Sequence, residues 1–430
     1  MMRTRATAGL VPALTLGLPS IAAAGELNAG NTAWLLTSTA LVLLMTLPGL
    51  ALFYGGLVRS KNVLSVLIQC FAITCVVSVI WFACGYGLAF GHGGAINDYL
   101  GGGKVWLTGV GRDALVGDIP ESVYLMFQLT FAVITPALII GAFVERVKFL
   151  ASVLFSAGWS LLAYVPVCHW VWGGGWLAQL GALDFAGGIV VHVNAGVAAL
   201  VAAVVVGRRR GFPESAMPPH NMTLVVTGAS MLWVGWFGFN AGSALGANGI
   251  AATAFIATHV AAAAATCSWM AAEWLHRGKP TVLGAISGAV AGLVAITPAC
   301  GFVSPMSAIV IGLIAGVLCF QACNLKAKLG YDDSLDVVGI HGVGGTTGAL
   351  LTGVFASSAI NPAVPDGLIF GNTGLLWAQL ISVGATMVFC FVGALILLKI
   401  VDAIIGLRVS EEEERQGLDL SQHGETAYTF

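Results

Sequence analysis

Apolar runs of about 20 residues recur eleven times along this 430-residue chain, at roughly 32–58, 63–90, 121–144, 149–170, 185–206, 221–241, 250–275, 281–298, 304–325, 337–356 and 375–400. Each is long enough to cross a hydrocarbon core of ~30 Å as a helix rising ~1.5 Å per residue. Inside a bilayer every backbone N–H and C=O must find its partner within the protein, which leaves helices or closed barrels. Unbroken apolar runs, without the alternation of barrel strands, select helices. The expected fold is an all-α polytopic membrane protein with eleven transmembrane helices.

Charge agrees. Only 9% of residues are Asp, Glu, Lys or Arg, against ~25% in soluble domains. Gly is abundant at 57 residues, and small residues let membrane helices approach closely. The net charge of −2 leaves no nucleic-acid footprint. Nine Cys are present, an odd number without a C-x-x-C pair, which disfavours a disulfide framework or zinc site. Cys319 and Cys323 share a helix face and read as packing.

The distribution of Lys and Arg orients the chain. Residues 1–24 carry Arg3 and Arg5, an apolar stretch and then Ala22–Ala24, the pattern of a cleaved signal peptide. Of the sixteen basic residues beyond it, fourteen fall on one side of an eleven-span arrangement, and only Lys104 and Arg112 on the other. That bias places the N-terminus outside and the C-terminus in the cytoplasm. The Gly-rich loop 91–120 is placed to cap an outer mouth, and the tail 406–430, with Glu411–Glu414, reads as a solvated cytoplasmic segment. If spans 1–5 and 6–10 form two halves, about 32–206 and 221–356, their odd number inverts the second half in the membrane. The expectation is two inverted five-helix repeats plus a last helix at about 375–400, with a site at the repeat interface.

Two histidines stand out against this background. His192 and Asn194 sit inside DFAGGIVVHVNAGVAAL (184–200), and His341 sits inside VVGIHGVGG. An ionisable group in a membrane segment is costly and marks a pathway or a bundle interior. The two lie in the fifth span of each half. Paired neutral imidazoles can share one hydrogen bond and each still offer a nitrogen to a small polar ligand. A metal would need a third ligand, and Asp184 lies about 12 Å away along an ideal helix. Asp184 is also a natural helix cap. Equal depth for the two histidines requires the Asp332–Asp336 segment to be recessed into the protein. Near the outer span ends lie Phe127, Phe131, Trp172, Trp236, Phe239 and Ser243. Aromatic faces beside open backbone and a hydroxyl make a cation site without acidic residues, although Trp at an interface is commonly an anchor.

Long stretches carry a family likeness: PGLALFYGGLVRSKNVLS, VWGGGWLAQLGALDFAGGIVVHVNAG, GWFGFNAGSA, GKPTVLGAISGAVAGLV, DVVGIHGVGG and GLRVSEEEERQGLDLSQHGE. They resemble the ammonium transporter family (Amt/MEP/Rh), its bacterial AmtB-type members in particular. The resemblance implies a homotrimer in the bacterial inner membrane with one pore per subunit, no cofactor, no enzymatic activity, and a PII-type nitrogen regulator at the cytoplasmic face. It also implies an outer ammonium site at Phe127, Phe131, Trp172 and Ser243, and a gate of Phe131 and Phe239. His192 and His341 would line the pore, with Asp184 supporting deprotonation. Ile189 stands where many relatives carry Ser or Thr, a departure expected to affect local packing. Three other readings are a gas channel for NH3 or CO2, an ammonium sensor and an intramembrane metalloenzyme.

Overall fold

Helices occupy all eleven apolar runs. In the computed structural model, which describes residues 26–429, they are α1 (Ala29–Leu57), α2 (Ser60–Phe90), α3 (Glu121–Ala142), α4 (Phe149–Gln179), α5 (Gly188–Val206), α6 (Met222–Gly242), α7 (Gly249–Arg277), α8 (Val282–Ile296), α9 (Pro305–Leu329), α10 (Val338–Phe355) and α11 (Thr373–Ile405). The signal expected at 1–24 lies outside the described residues. A two-stranded antiparallel hairpin, β1 (Leu115–Val116) and β2 (Ile119–Pro120), is the sheet found among the described residues and belongs to the loop before α3. Two short helices, α12 (Glu411–Gln416) and α13 (Leu418–His423), follow α11.

Five of the spans contain a π-helical turn: Met45–Leu50, Trp81–Gly85, Ser160–Tyr164, Gly188–Val193 and Val338–Gly342. The first contains Pro48, whose missing N–H breaks the regular ladder. The last two carry His192 and His341. A wide turn of this kind is held only where its surroundings compensate, and such turns concentrate at functional sites.

The segment before α10 is recessed, as equal histidine depth demands. Asp332 and Asp333 are buried, and the backbone N–H groups of Ser334 and Leu335 donate to the carbonyls of Ala142 and Gly141 at the end of α3. At this basic end a buried ion network joins four connections. Glu145 accepts from Arg59, Asn62 and Arg209 at 3.0 Å each, and Arg209 reaches Asp332 at 2.8 Å. Arg146 donates to the carbonyls of Ala142, Asp332 and Gly207.

The tail departs from its expected solvated state, because it is docked. Val147 and Arg408 form a backbone bridge, and Lys148 N–H donates to Leu407 O. Glu414, the one buried member of the four glutamates, takes Arg408 at 2.8 Å and the Arg210 N–H at 2.7 Å. Asp419 accepts the Ser65 N–H at the start of α2, and Leu418 N–H donates to Asn62. Composition hid this because each contact is a match between distant polar groups.

Burial opposes ionisation of Glu145 and of Asp332, yet Arg209, joined at Glu145 by Arg59, outweighs it and holds both carboxyls below their usual range. Their contribution to stability is therefore complete above about pH 4 and lost as pH falls through the depressed values. Arg209→Met takes the ion-pair partner from buried Asp332 and leaves Glu145 with Arg59 and Asn62, and should cost on the order of 3–5 kcal/mol, seen as a lower unfolding midpoint in detergent at pH 7.

Candidate functional site

Helices α5 and α10 begin inside the protein, and each starts behind a buried aspartate. A helix start leaves N–H groups without partners. At α5 the Asp184 carboxylate takes four of them: Gly187 and Gly188 on Oδ1 at 2.8 and 2.6 Å, Ile189 and Val190 on Oδ2 at 2.7 and 3.0 Å. Gly187, with φ +113°, makes the sharp entry a Cβ would strain. At α10 Asp333 accepts the Val338 N–H at 2.7 Å. Each aspartate precedes its histidine by eight residues, in DFAGGIVVH and DSLDVVGIH. The two helices enter from opposite ends, so one arrangement is built twice in inverted sense.

These starts bring the histidines together. Their Nδ1 atoms are 3.2 Å apart and both rings are buried. Two acceptor nitrogens cannot face each other at that distance, so one carries the hydrogen. The neutral pair then leaves one Nε2 as an acceptor and the other as an N–H donor. His192 Nε2 is buried and finds no hydrogen-bond partner among the described residues. The helices pass so closely because a Cβ at Gly196 would meet the Gly342 backbone, and one at Gly345 would meet His192 Cβ at 2.8 Å.

Around the pair lies a narrow apolar cavity walled by Met45, Leu50, Phe53, Ile134, Leu138 and Trp236, among others. It leaves about 10 Å³ for the centre of a water-sized molecule, room for one such molecule. Phe53 also borders a second cavity of about 280 Å³ towards the basic end, where Arg209, Lys326, Ser334 and Asp336 contribute polar groups.

A continuous aromatic stack leads to the histidines from the other end. Trp172 meets Phe131 edge-on with centroids 5.6 Å apart, Phe127 meets it at 5.1 Å, and Phe131 lies over Phe239 at 4.3 Å. Phe239 in turn stacks on His192 at 6.0 Å. Phe127, Phe131 and Phe239 are fully buried, whereas Trp172 is partly open. Trp172 is fixed by its indole N–H donating to the Asp184 carbonyl at 2.8 Å. Ser243 is partly exposed and its hydroxyl donates to the Phe239 carbonyl at 2.8 Å, which leaves oxygen lone pairs for another donor. Ile189 is buried within the first turn of α5, its N–H held by Asp184.

Two members of the constellation escape sequence reasoning. Trp236 stacks on His192 at 5.5 Å and is held by its N–H donating to Thr297 at 2.9 Å. From sequence it is one of several tryptophans near a span end. Asp333 is legible only through its eight-residue offset from His341, matching Asp184 and His192.

Comparison with known proteins places the chain. The profile of the Ammonium Transporter Family matches residues 33–428. The ammonium transporter of Bacillus subtilis is 52% identical over 93% of this chain and 98% of its own length. That of Aquifex aeolicus is also 52% identical, over 95% and 96%. Among solved structures, Candida albicans Mep2 superposes with a TM-score of 0.86 at 35% identity, covering 94% of this chain and 91% of Mep2. A protein described as a Sensor Amt Protein gives 0.84 at 28% identity, covering 92% and 98%.

Asp184→Ala removes the acceptor for four buried N–H groups and should destabilise the fold by at least about 2 kcal/mol. Asp333→Ala, with one bond of this kind, should cost about 1–2 kcal/mol. Thermal unfolding of the purified variants in one detergent checks both values and their order.

Proposed function

The chain belongs to the ammonium transporter family and is a multi-pass membrane transporter, not an enzyme; from that premise we propose that it recruits NH4+, strips a proton and conducts NH3. The observation that carries this reading is the aromatic stack closing onto a histidine pair in an apolar cavity with room for one small molecule. An ion there would meet an idealised desolvation cost on the order of 20 kcal/mol. Each cation–π contact returns only ~0.5–2 kcal/mol. Neutral ammonia avoids that cost.

In this account Trp172, Phe127, Phe131 and the Ser243 oxygen receive the cation at the outer end. Phe131 and Phe239 form the gate, which must part for passage. His192 and His341 then offer NH3 one acceptor and one donor in an otherwise apolar wall. Asp184 acts by fixing the turn that carries His192 and the carbonyl that holds Trp172; with four N–H bonds on its carboxylate it is a positioning group that supports deprotonation through these partners. The proton either returns outside or crosses by a relay through the histidine pair and water, and only the second route moves charge.

The setting completes the proposal. Residues 25–405 form the membrane unit after loss of a signal at 1–24, with repeats at about 32–206 and 221–356, in a homotrimer of the bacterial inner membrane. The N-terminus lies outside and the basic end faces the cytoplasm. There the tail 406–430 and the basic connections meet a PII-type regulator.

Liposomes containing the purified protein should show ammonium-dependent flux, and His192→Ala or His341→Ala should lower it about tenfold or more, the scale of one buried hydrogen-bonding partner lost. Loss of the ammonium-evoked current alone in His192→Ala would select the relay. No ammonium-dependent flux from the intact protein would overturn the proposal.

A further inference from the structure

The loop between α2 and α3 holds three neighbouring non-glycine residues in the left-handed region, Lys104, Trp106 and Leu107, with φ of 50°, 49° and 60°. Such backbone is unfavourable for residues with a Cβ and persists only where surroundings compensate. For Lys104 the compensation is internal. Its ammonium pairs with the buried Glu121 and lies 5.5 Å over the Tyr86 ring. Leu107 packs partly against the core, whereas Trp106 is 71% exposed and Val105 53%.

The position of this turn is fixed along α2. The chain runs back down the helix, with the Gly102 and Gly103 carbonyls against Gly91 and Gly87, until 105–107 packs beside Trp81–Gly85. Trp81 stands about 31 Å along α2 from Ser60 at the basic end. A hydrocarbon core is ~30 Å thick, so with Ser60 at its near boundary the turn lies level with the far one. The exposed stripe of α2, made by Ile68, Phe71, Cys75 and Val79, follows helical spacing and is the apolar face that a bilayer would cover. Val105 and Trp106 add exposed apolar surface beside the upper part of α2.

We propose that Val105–Trp106–Leu107 is a re-entrant finger seated in the headgroup–acyl boundary of the bilayer on the side away from the basic end. A bilayer interface fits better than water or protein. Trp is the side chain that favours this layer, the neighbouring cation is turned inward onto Glu121, and the strained backbone at Trp106 gains its compensation from lipid. The finger ties the 91–120 loop to the membrane surface beside the mouth.

Spin labels test this in the full chain reconstituted in liposomes, with the exposed Cys75 and Cys267 replaced by Ala and ammonium flux confirming the fold. Labels are placed at Trp106→Cys and Val105→Cys, with Arg112→Cys as the solvated reference. Labels at 105 and 106 should collide with oxygen several-fold more than with a water-soluble nickel complex, and the label at 112 the reverse. Nickel accessibility at 106 equal to that at 112 would mean a solvated loop and overturn the proposal. Exclusion of both agents at 105 and 106 would mean a protein partner, such as a second copy, and overturn it equally.

Discussion

Two helices that begin inside the protein depend on two aspartates. The N–H groups at a helix start are ordinarily satisfied by water at a membrane surface, and no such water is assured where α5 and α10 begin. Asp184 provides four acceptor contacts at one start and Asp333 holds the other. Carboxylates also suit the positive end of a helix dipole. Without them the wide turns bearing His192 and His341 have no fixed geometry, and the 3.2 Å contact between the rings has no reason to persist. The rest of the bundle can be read as support: Gly196 and Gly345 allow the close crossing, Trp236 backs one ring, and the Glu145–Arg209–Asp332 network holds the recessed segment before α10.

That geometry decides what can pass. The histidine pair lies in a space for one small molecule, behind three buried phenylalanines. In the proposed mechanism a neutral species passes, because cation–π contacts of ~0.5–2 kcal/mol each fall far short of the ~20 kcal/mol desolvation of an ion. The proposal accordingly divides the site, with a partly open aromatic approach where a cation still keeps water and an apolar interior where it cannot. Asp184 bridges the two regions: its carboxylate builds the interior and its carbonyl fixes Trp172 at the approach.

The sequence made the fold legible where the physics is local. Bilayer thickness sets run length, so eleven spans could be counted, and histidine is conspicuous in an apolar run. The family resemblance supplied the aromatic constellation by residue, and composition alone did not separate Trp172 from a membrane anchor. What stayed hidden depends on distant partners. The offset of Asp333 from His341 was readable, yet its meaning required seeing Asp184 perform the same task. Trp236 acquires its role only from stacking on His192. The acidic tail read as solvated because docking through Glu414, Leu418 and Asp419 rests on Arg210, Asn62 and Ser65, all remote in sequence.

The central claim is that no ion crosses the histidine cavity as an ion, and potassium tests it most directly because it resembles ammonium in size and has no proton to lose. Charge movement in protein-containing liposomes should be compared for potassium and ammonium pulses across the same concentrations. The account predicts no potassium current at any concentration, whichever route the ammonium proton takes. A potassium current of ordinary channel size through the intact protein would contradict it.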